Sequence, residues 1–124
     1  MSDRLKIRPT INGLKDENRS VEEQFQNETL RPIIKMQHDL LVKYFSAYLL
    51  SKKCKFKELT ELKRLAFIKS AFKKDNPFKN ELKGIIIGQF TTSEFEKYCS
   101  NKNDFNKRIL AMIQQRLISV ITLF

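Results

Sequence analysis

Only three glycines and three prolines punctuate these 124 residues, alongside two cysteines, one histidine and no tryptophan. So few chain-turning residues exclude a β-sandwich or barrel, which needs a turn every ~8–12 residues. Cys54 and Cys99 are too few and too widely spaced for a disulfide framework or paired zinc ligands. Reduced thiols and a cytoplasmic location are therefore expected. No run approaches the ~18 consecutive apolar residues of a spanning helix, so no membrane partner is expected. The N-terminal residues carry charge with no apolar core behind them, which is not a secretory signal. Glycine-rich phosphate loops of the G-x-G-x-x-G or G-x-x-x-x-G-K-[ST] kind are missing.

What is there is apolar and basic. Hydrophobic residues make up 41% and charged residues 31%, with 24 Lys+Arg against 14 Asp+Glu for a formal charge of +10. That apolar share is too high for a disordered chain. A chain of this length is one domain by size and buries roughly two thirds of its unfolded surface.

Helical spacing organises most of it. Residues 1–19, with Pro9 and Gly13, read as an extended N-terminal arm ahead of a single domain over 20–124. Ser20-Val21-Glu22-Glu23 has the form of a capping box. Pro32 fits only a first helical turn, which favours a short helix followed by a fresh start capped by Thr29 over one kinked helix. Leu30, Ile33, Ile34, Leu40, Leu41, Tyr44, Phe45 and Tyr48 then recur along one helical face to about Ser51. A helix from about Lys57 to Lys74 follows, with Leu59, Leu62, Leu65, Ala66, Ile68 and Phe72 inward. Asn76 with Pro77 marks a restart. Ile85-Ile86-Ile87 has strand propensity, but an isolated strand has no partner, so helix is expected there. Gly84 and Gly88 would leave a strip for close helix approach. Thr91-Thr92-Ser93-Glu94 is a second capping box. Leu110 and Ile118 widen the face set by Ile109, Met112, Ile113, Leu117, Val120 and Ile121. Such width suggests a central helix or a subunit contact, hence an expected homodimer through the C-terminal helix. The fold class is all-α: a compact bundle of four to six helices with an irregular N-terminal arm.

Few residues invite chemistry. His38 stands at the edge of an apolar stripe, and the repeated Glu-x-x-His pairs of a bundle metal site are absent. No cofactor is expected. Gln37 projects into the middle of the same stripe, as a register-fixing amide or, with His38 and Tyr44, part of a small polar pocket. Cys54 lies among Lys52, Lys53, Lys55 and Lys57, cations that lower a thiol pKa, yet it has no base partner. Cys99 reads as core filler.

The basic segment is the strongest lead. Residues 52–75 hold nine Lys+Arg and three acids, which is +6 of the total. Phe67 projects near Lys63, Arg64 and Lys74. Rings among cations suit single strands, with bases on the aromatic face and phosphates on ammonium groups. The candidate surface for nucleic acid or an acidic partner is Lys52, Lys53, Lys55, Lys57, Lys63, Arg64, Phe67 and Lys74.

Three strings, Phe25-Gln26-Asn27-Glu28-Thr29-Leu30-Arg31-Pro32-Ile33-Ile34-Lys35-Met36-Gln37, Lys102-Asn103-Asp104-Phe105-Asn106-Lys107-Arg108-Ile109 and Ile113-Gln114-Gln115-Arg116-Leu117, resemble short all-helical bacterial proteins. Some of those carry a glyoxalase-related label. The resemblance runs over nearly the whole chain and implies one compact helical domain. The label would imply a lyase using a divalent metal, which here would need Glu22, Glu23 or Glu28 beside His38. The residues themselves carry no catalytic signature. Their composition and patterning lead to an expected role in protein–protein interaction, with nucleic-acid binding through 52–74 as the alternative.

Overall fold

The computed structural model describes residues 20–124, which form six helices with no strand among them. α1 covers residues 21–36 in three parts: α-helical Val21–Phe25, a π-helical turn Gln26–Leu30, and α-helical Arg31–Met36. α2 is His38–Ser51, α3 Glu61–Lys74, α4 Asn76–Ile87, α5 Thr92–Ser100 and α6 Lys102–Ser119. Short 3₁₀ turns at Phe56–Glu58 and Ile121–Leu123 complete the chain. The all-α class expected from the spacing is the fold observed. The extended arm assigned to residues 1–19 lies outside the described residues.

Four of the six helices start on a side-chain cap, while α2 and α6 start without one. Ser20 Oγ accepts the Glu23 N–H at 3.1 Å. Thr91 and Glu94 form a reciprocal box, with Thr91 N donating to Glu94 Oε1 at 2.9 Å and Glu94 N donating to Thr91 Oγ1 at 3.2 Å. α3 starts at Glu61, later than expected from Lys57, because Thr60 supplies the cap oxygen to Lys63 N. At the next restart the cap is Asp75, not Asn76: Asp75 Oδ1 accepts from Phe78 N at 3.2 Å. Aspartate caps as well as asparagine, and here it is the residue with extended φ and ψ.

Pro32 breaks nothing. No fresh start occurs at Thr29, which is buried without capping. The π turn before Pro32 closes with Arg31 N donating to Gln26 O, five residues back. A widened turn relieves the clash of a proline ring with the preceding turn and tolerates its missing N–H. The break falls instead at Gln37, whose φ of −90° and ψ of 10° separate α1 from α2. Gln37 is therefore half-buried at a corner, not in the middle of a continuous stripe.

α6 is the axis of the bundle and touches every other helix. Phe105, Ile109, Ile113 and Leu117 are fully buried along one line of it, while Leu110, Met112 and Ile118 are half-buried beside that line. The central position that the width of this face suggested is thus the one observed, and part of its flank, with Leu123, stays open to solvent. Phe124 folds back so that its ring lies 4.9 Å from Phe45 and 6.0 Å from Phe56. Phe45 also meets Tyr48, Phe67 and Phe78, making one aromatic cluster, and Phe25, Phe90, Tyr98 and Phe105 make a second. Each such buried ring contributes roughly 1.5–3 kcal/mol over exposure.

Three further expectations fail on packing. Leu62 and Ala66 face water, and Phe67 turns inward with Ile68, Ala71 and Phe72, because the aromatic cluster draws the buried face of α3 round to it. No helix approaches Gly84 or Gly88: both are exposed, and a Cβ on Gly84 would meet nothing within 4 Å. Cys99 is exposed on α5, next in sequence to buried Tyr98 and about 100° round the helix from it.

Candidate nucleic-acid interface

A groove of about 460 Å³ opens where the end of α2 meets the α3–α4 corner. Tyr48, Phe67 and Pro77 supply its rings, and Lys52, Lys74 and Asp75 its charges. Helical spacing places them: Lys52, which caps the end of α2, lies one turn beyond Tyr48, while Phe67, Ser70, Ala71 and Lys74 follow one face of α3.

Asp75 organises the groove. Tyr48 Oη donates to Asp75 Oδ2 at 2.6 Å, and Lys52 Nζ lies 3.6 Å from the same oxygen. Lys52 Nζ also sits 5.5 Å from the centre of the Tyr48 ring, within cation–π range. The Tyr48 hydrogen bond, then the Phe78 N–H and the Lys52 charge, hold the Asp75 carboxyl below its usual value. Burial, followed by the bond to Asp75, pushes Tyr48 well above the ordinary phenol value. Burial and the nearby Glu81 carboxylate raise Tyr44 to about 12. Both phenols therefore stay protonated near neutrality. The groove thus sets two ammonium groups and one carboxylate beside two half-buried aromatic rings.

The sequence-selected residues divide. Lys52, Phe67 and Lys74 come together in this groove. Lys55 and Lys57 instead border an apolar hollow lined by Leu49, Leu50, Cys54, Phe56 and Phe124. Lys53 and Lys63 are exposed and line neither. Arg64 is half-buried and its guanidinium is taken up by the backbone. Its guanidinium donates to the carbonyls of Phe56 at 2.9 Å, Lys57 at 3.0 Å, Leu59 at 3.2 Å and Ile121 at 3.3 Å. It pins the 52–60 connection and the C-terminal turn to α3. Cys54 is half-buried, and burial pushes its thiol up, the reverse of what its lysine neighbours suggested.

Gln37, His38 and Tyr44 share no hydrogen bond. His38 Nδ1 lies 3.3 Å from Arg116 Nη1 on α6, whereas Tyr44 packs its ring 5.9 Å from Phe78 on α4. Of the residues a glyoxalase-type metal would need, Glu22, Glu28 and His38 are engaged elsewhere, and with Glu23 they form no ligand cluster that would fit one. Glu22 accepts from Asn101, Glu28 from Gln24, and His38 meets a cation. Among the described residues no three His, Cys, Asp or Glu side chains gather, and no helix there is long and apolar enough to cross a membrane.

The sequence missed Tyr48 and Asp75 as groove residues. Tyr48 was indistinguishable from the other apolar positions of its stripe, and the available signal for Asp75 was its equal merit as a cap. Compared with family models, curated proteins and solved structures, the chain matches none.

Proposed function

We propose that this protein binds single-stranded nucleic acid, with the groove at the α2 end and the α3–α4 corner as its base-holding pocket. The observation that supports this is the placement of Lys52 and Lys74 around the rings of Tyr48 and Phe67. Stacking on an aromatic face tolerates any base, and ammonium groups beside it take the phosphates. The +10 net charge favours approach of a polyanion. Fluorescence anisotropy with a labelled oligonucleotide tests the reading. Affinity should fall steeply with salt, and K52E/K74E should reduce it at least about tenfold, with the log–log salt slope shallower by about 1.4 for two lost phosphate contacts. Absence of binding at low salt ends the proposal.

A second reading, docking of a protein partner or a second copy of this chain, draws on a different place. Leu50 is 80% exposed at the edge of the apolar hollow closed by Phe56 and Phe124. Exposed apolar surface of this kind favours association. Light scattering reads it directly: Leu50→Lys should abolish any dimer, and a wild-type monomer at micromolar concentration removes the second-copy form.

A further inference from the structure

A third hollow, of about 310 Å³, opens between α1 and the C-terminal half of α6. Arg31 and Arg116 contribute its charge, Gln26 and Gln115 neutral polar groups, and Ile34 and Met112 apolar wall. It shares no residue with the lysine groove, and no carboxylate lines it.

The two arginines are incompletely used. Arg31 Nη2 donates to Asn27 Oδ1 at 3.3 Å, but Arg31 Nε is shut off from water and finds no acceptor among the described residues. Nε itself has no open surface, so the donors that Arg31 can offer to the hollow are those of its Nη groups. Among the described residues the Arg116 side chain meets only the imidazole of His38. A guanidinium can only donate, so Nδ1 of His38 accepts and the ring hydrogen belongs on Nε2. Neither arginine has a carboxylate partner among the described residues. Arg108 is the contrast: its Nε bonds Asp104 at 2.7 Å, and its Nη1 takes Gln26 Oε1 at 2.8 Å. That second bond fixes the amide of Gln26 so that its NH₂ group is left to donate.

Local backbone geometry brings these donors together. Gln26 and Arg31 are five residues apart, which in a straight α-helix would separate them by about 140°. The π turn Gln26–Leu30 has the wider circumference that sets such residues on one side, and both line the hollow. π turns are rare and concentrate at functional positions.

We propose that this hollow binds the phosphate group of a small organic phosphate monoester. Two guanidinium groups without carboxylate partners among the described residues match a phosphate carrying nearly two negative charges, and their forked donors fit its oxygens. A carboxylate would balance only one of them. Ile34 and Met112 provide cover for the carbon skeleton. The volume stands at the low end for small-molecule sites, roughly 300–1,000 Å³, which suits one compact ligand rather than a strand.

His38 is the only histidine in the chain, so its ring gives a single reporter beside Arg116. Titrating the full chain with phenyl phosphate at fixed pH and ionic strength should shift the His38 ring carbon–proton resonance saturably. Arg31→Met should weaken the apparent affinity at least about tenfold, the loss of charge-assisted hydrogen bonds. K52E/K74E, altered only in the groove, should titrate like the wild type, which separates this site from nucleic-acid binding. A shift that is absent or never saturates in the wild type overturns the proposal without any variant. Benzoate producing an equal saturable shift overturns the choice of phosphate. Arg31→Met that melts well below the wild type yet titrates unchanged shows Arg31 to be structural, and overturns it too.

Discussion

The lysine groove and the arginine hollow both gather cations, but they treat them oppositely. In the basic 52–75 segment the charges are answered: Lys52 has Asp75, Arg64 has four backbone carbonyls, and the other lysines stand in water. Between α1 and α6, Arg31 and Arg116 are partly covered and have no anion among the described residues. Charge density along the sequence points to the first region and says nothing of the second. Local density records how many cations are near in the chain; it does not record which of them the fold has already engaged.

Arg64 gives the sharpest break between the regions. Arg64→Met keeps the length of the stem and deletes donors to Phe56, Lys57, Leu59 and Ile121. Hydrogen bonds to charged groups are worth ~1.5–3 kcal/mol each and are not additive, so the expected loss in urea denaturation is about 3 kcal/mol. Oligonucleotide affinity per folded molecule should hardly change. A loss under ~1 kcal/mol would mean that Arg64 is as idle as Arg31 and that the two regions do not differ.

Arg64 also shows where sequence reading stops. Its period placed it among lysines, and nothing local to it announces carbonyls contributed from residues 56–59 and from Ile121. The bundle itself was legible because apolar spacing and caps act within a few residues: Thr91 with Glu94, the line from Phe105 to Leu117, and the end of α2 at Ser51 all follow from neighbours in the chain. The passage through Pro32 was not legible, since a π turn has no composition of its own and depends on the packing around it. Phe67 failed for a related reason: a projection gives its angle on α3 but not the position of the Phe45, Tyr48 and Phe56 rings that receive it.

Asp75 carries the next effect, because one carboxylate serves both fold and groove. Its value is lower folded than unfolded, so the folded state resists protonation. The stability it contributes is complete above its ordinary value of 3.8 and is lost as the pH falls through the folded value. Asp75→Asn should therefore lower the melting temperature at neutral pH, and the gap from wild type should narrow below pH ~4 as the wild-type carboxylate protonates. A gap constant across that range would show that capping geometry alone, which Asn preserves in kind, accounts for the role of Asp75. The corresponding measurement on the arginine hollow is silent, having no acid in its lining.

Lys53 gives the smallest effect and the finest division within the basic segment. It is the one non-glycine residue with positive φ among those described, at 53°. The reason is the end of α2: Cys54 N donates to Leu49 O at 2.9 Å and Lys53 N to Leu50 O at 3.0 Å, a paired closure that needs a left-handed residue at position 53. Glycine is the usual occupant, because a side chain there costs roughly 1–2 kcal/mol. Glycine also loses more freedom on folding, so Lys53→Gly should gain only ~0.5–1 kcal/mol in denaturant titration. The same change removes a cation adjacent to Lys52. If Lys53 lies on the path of a bound strand, the stabilised variant should bind an oligonucleotide more weakly, by less than K52E/K74E does, with a correspondingly shallower salt slope. Stability that rises with affinity unchanged would confine the interface to the groove between Lys52 and Lys74. Stability that falls would refute the closure itself, since no other role in the helix end rewards a lysine in that conformation over glycine.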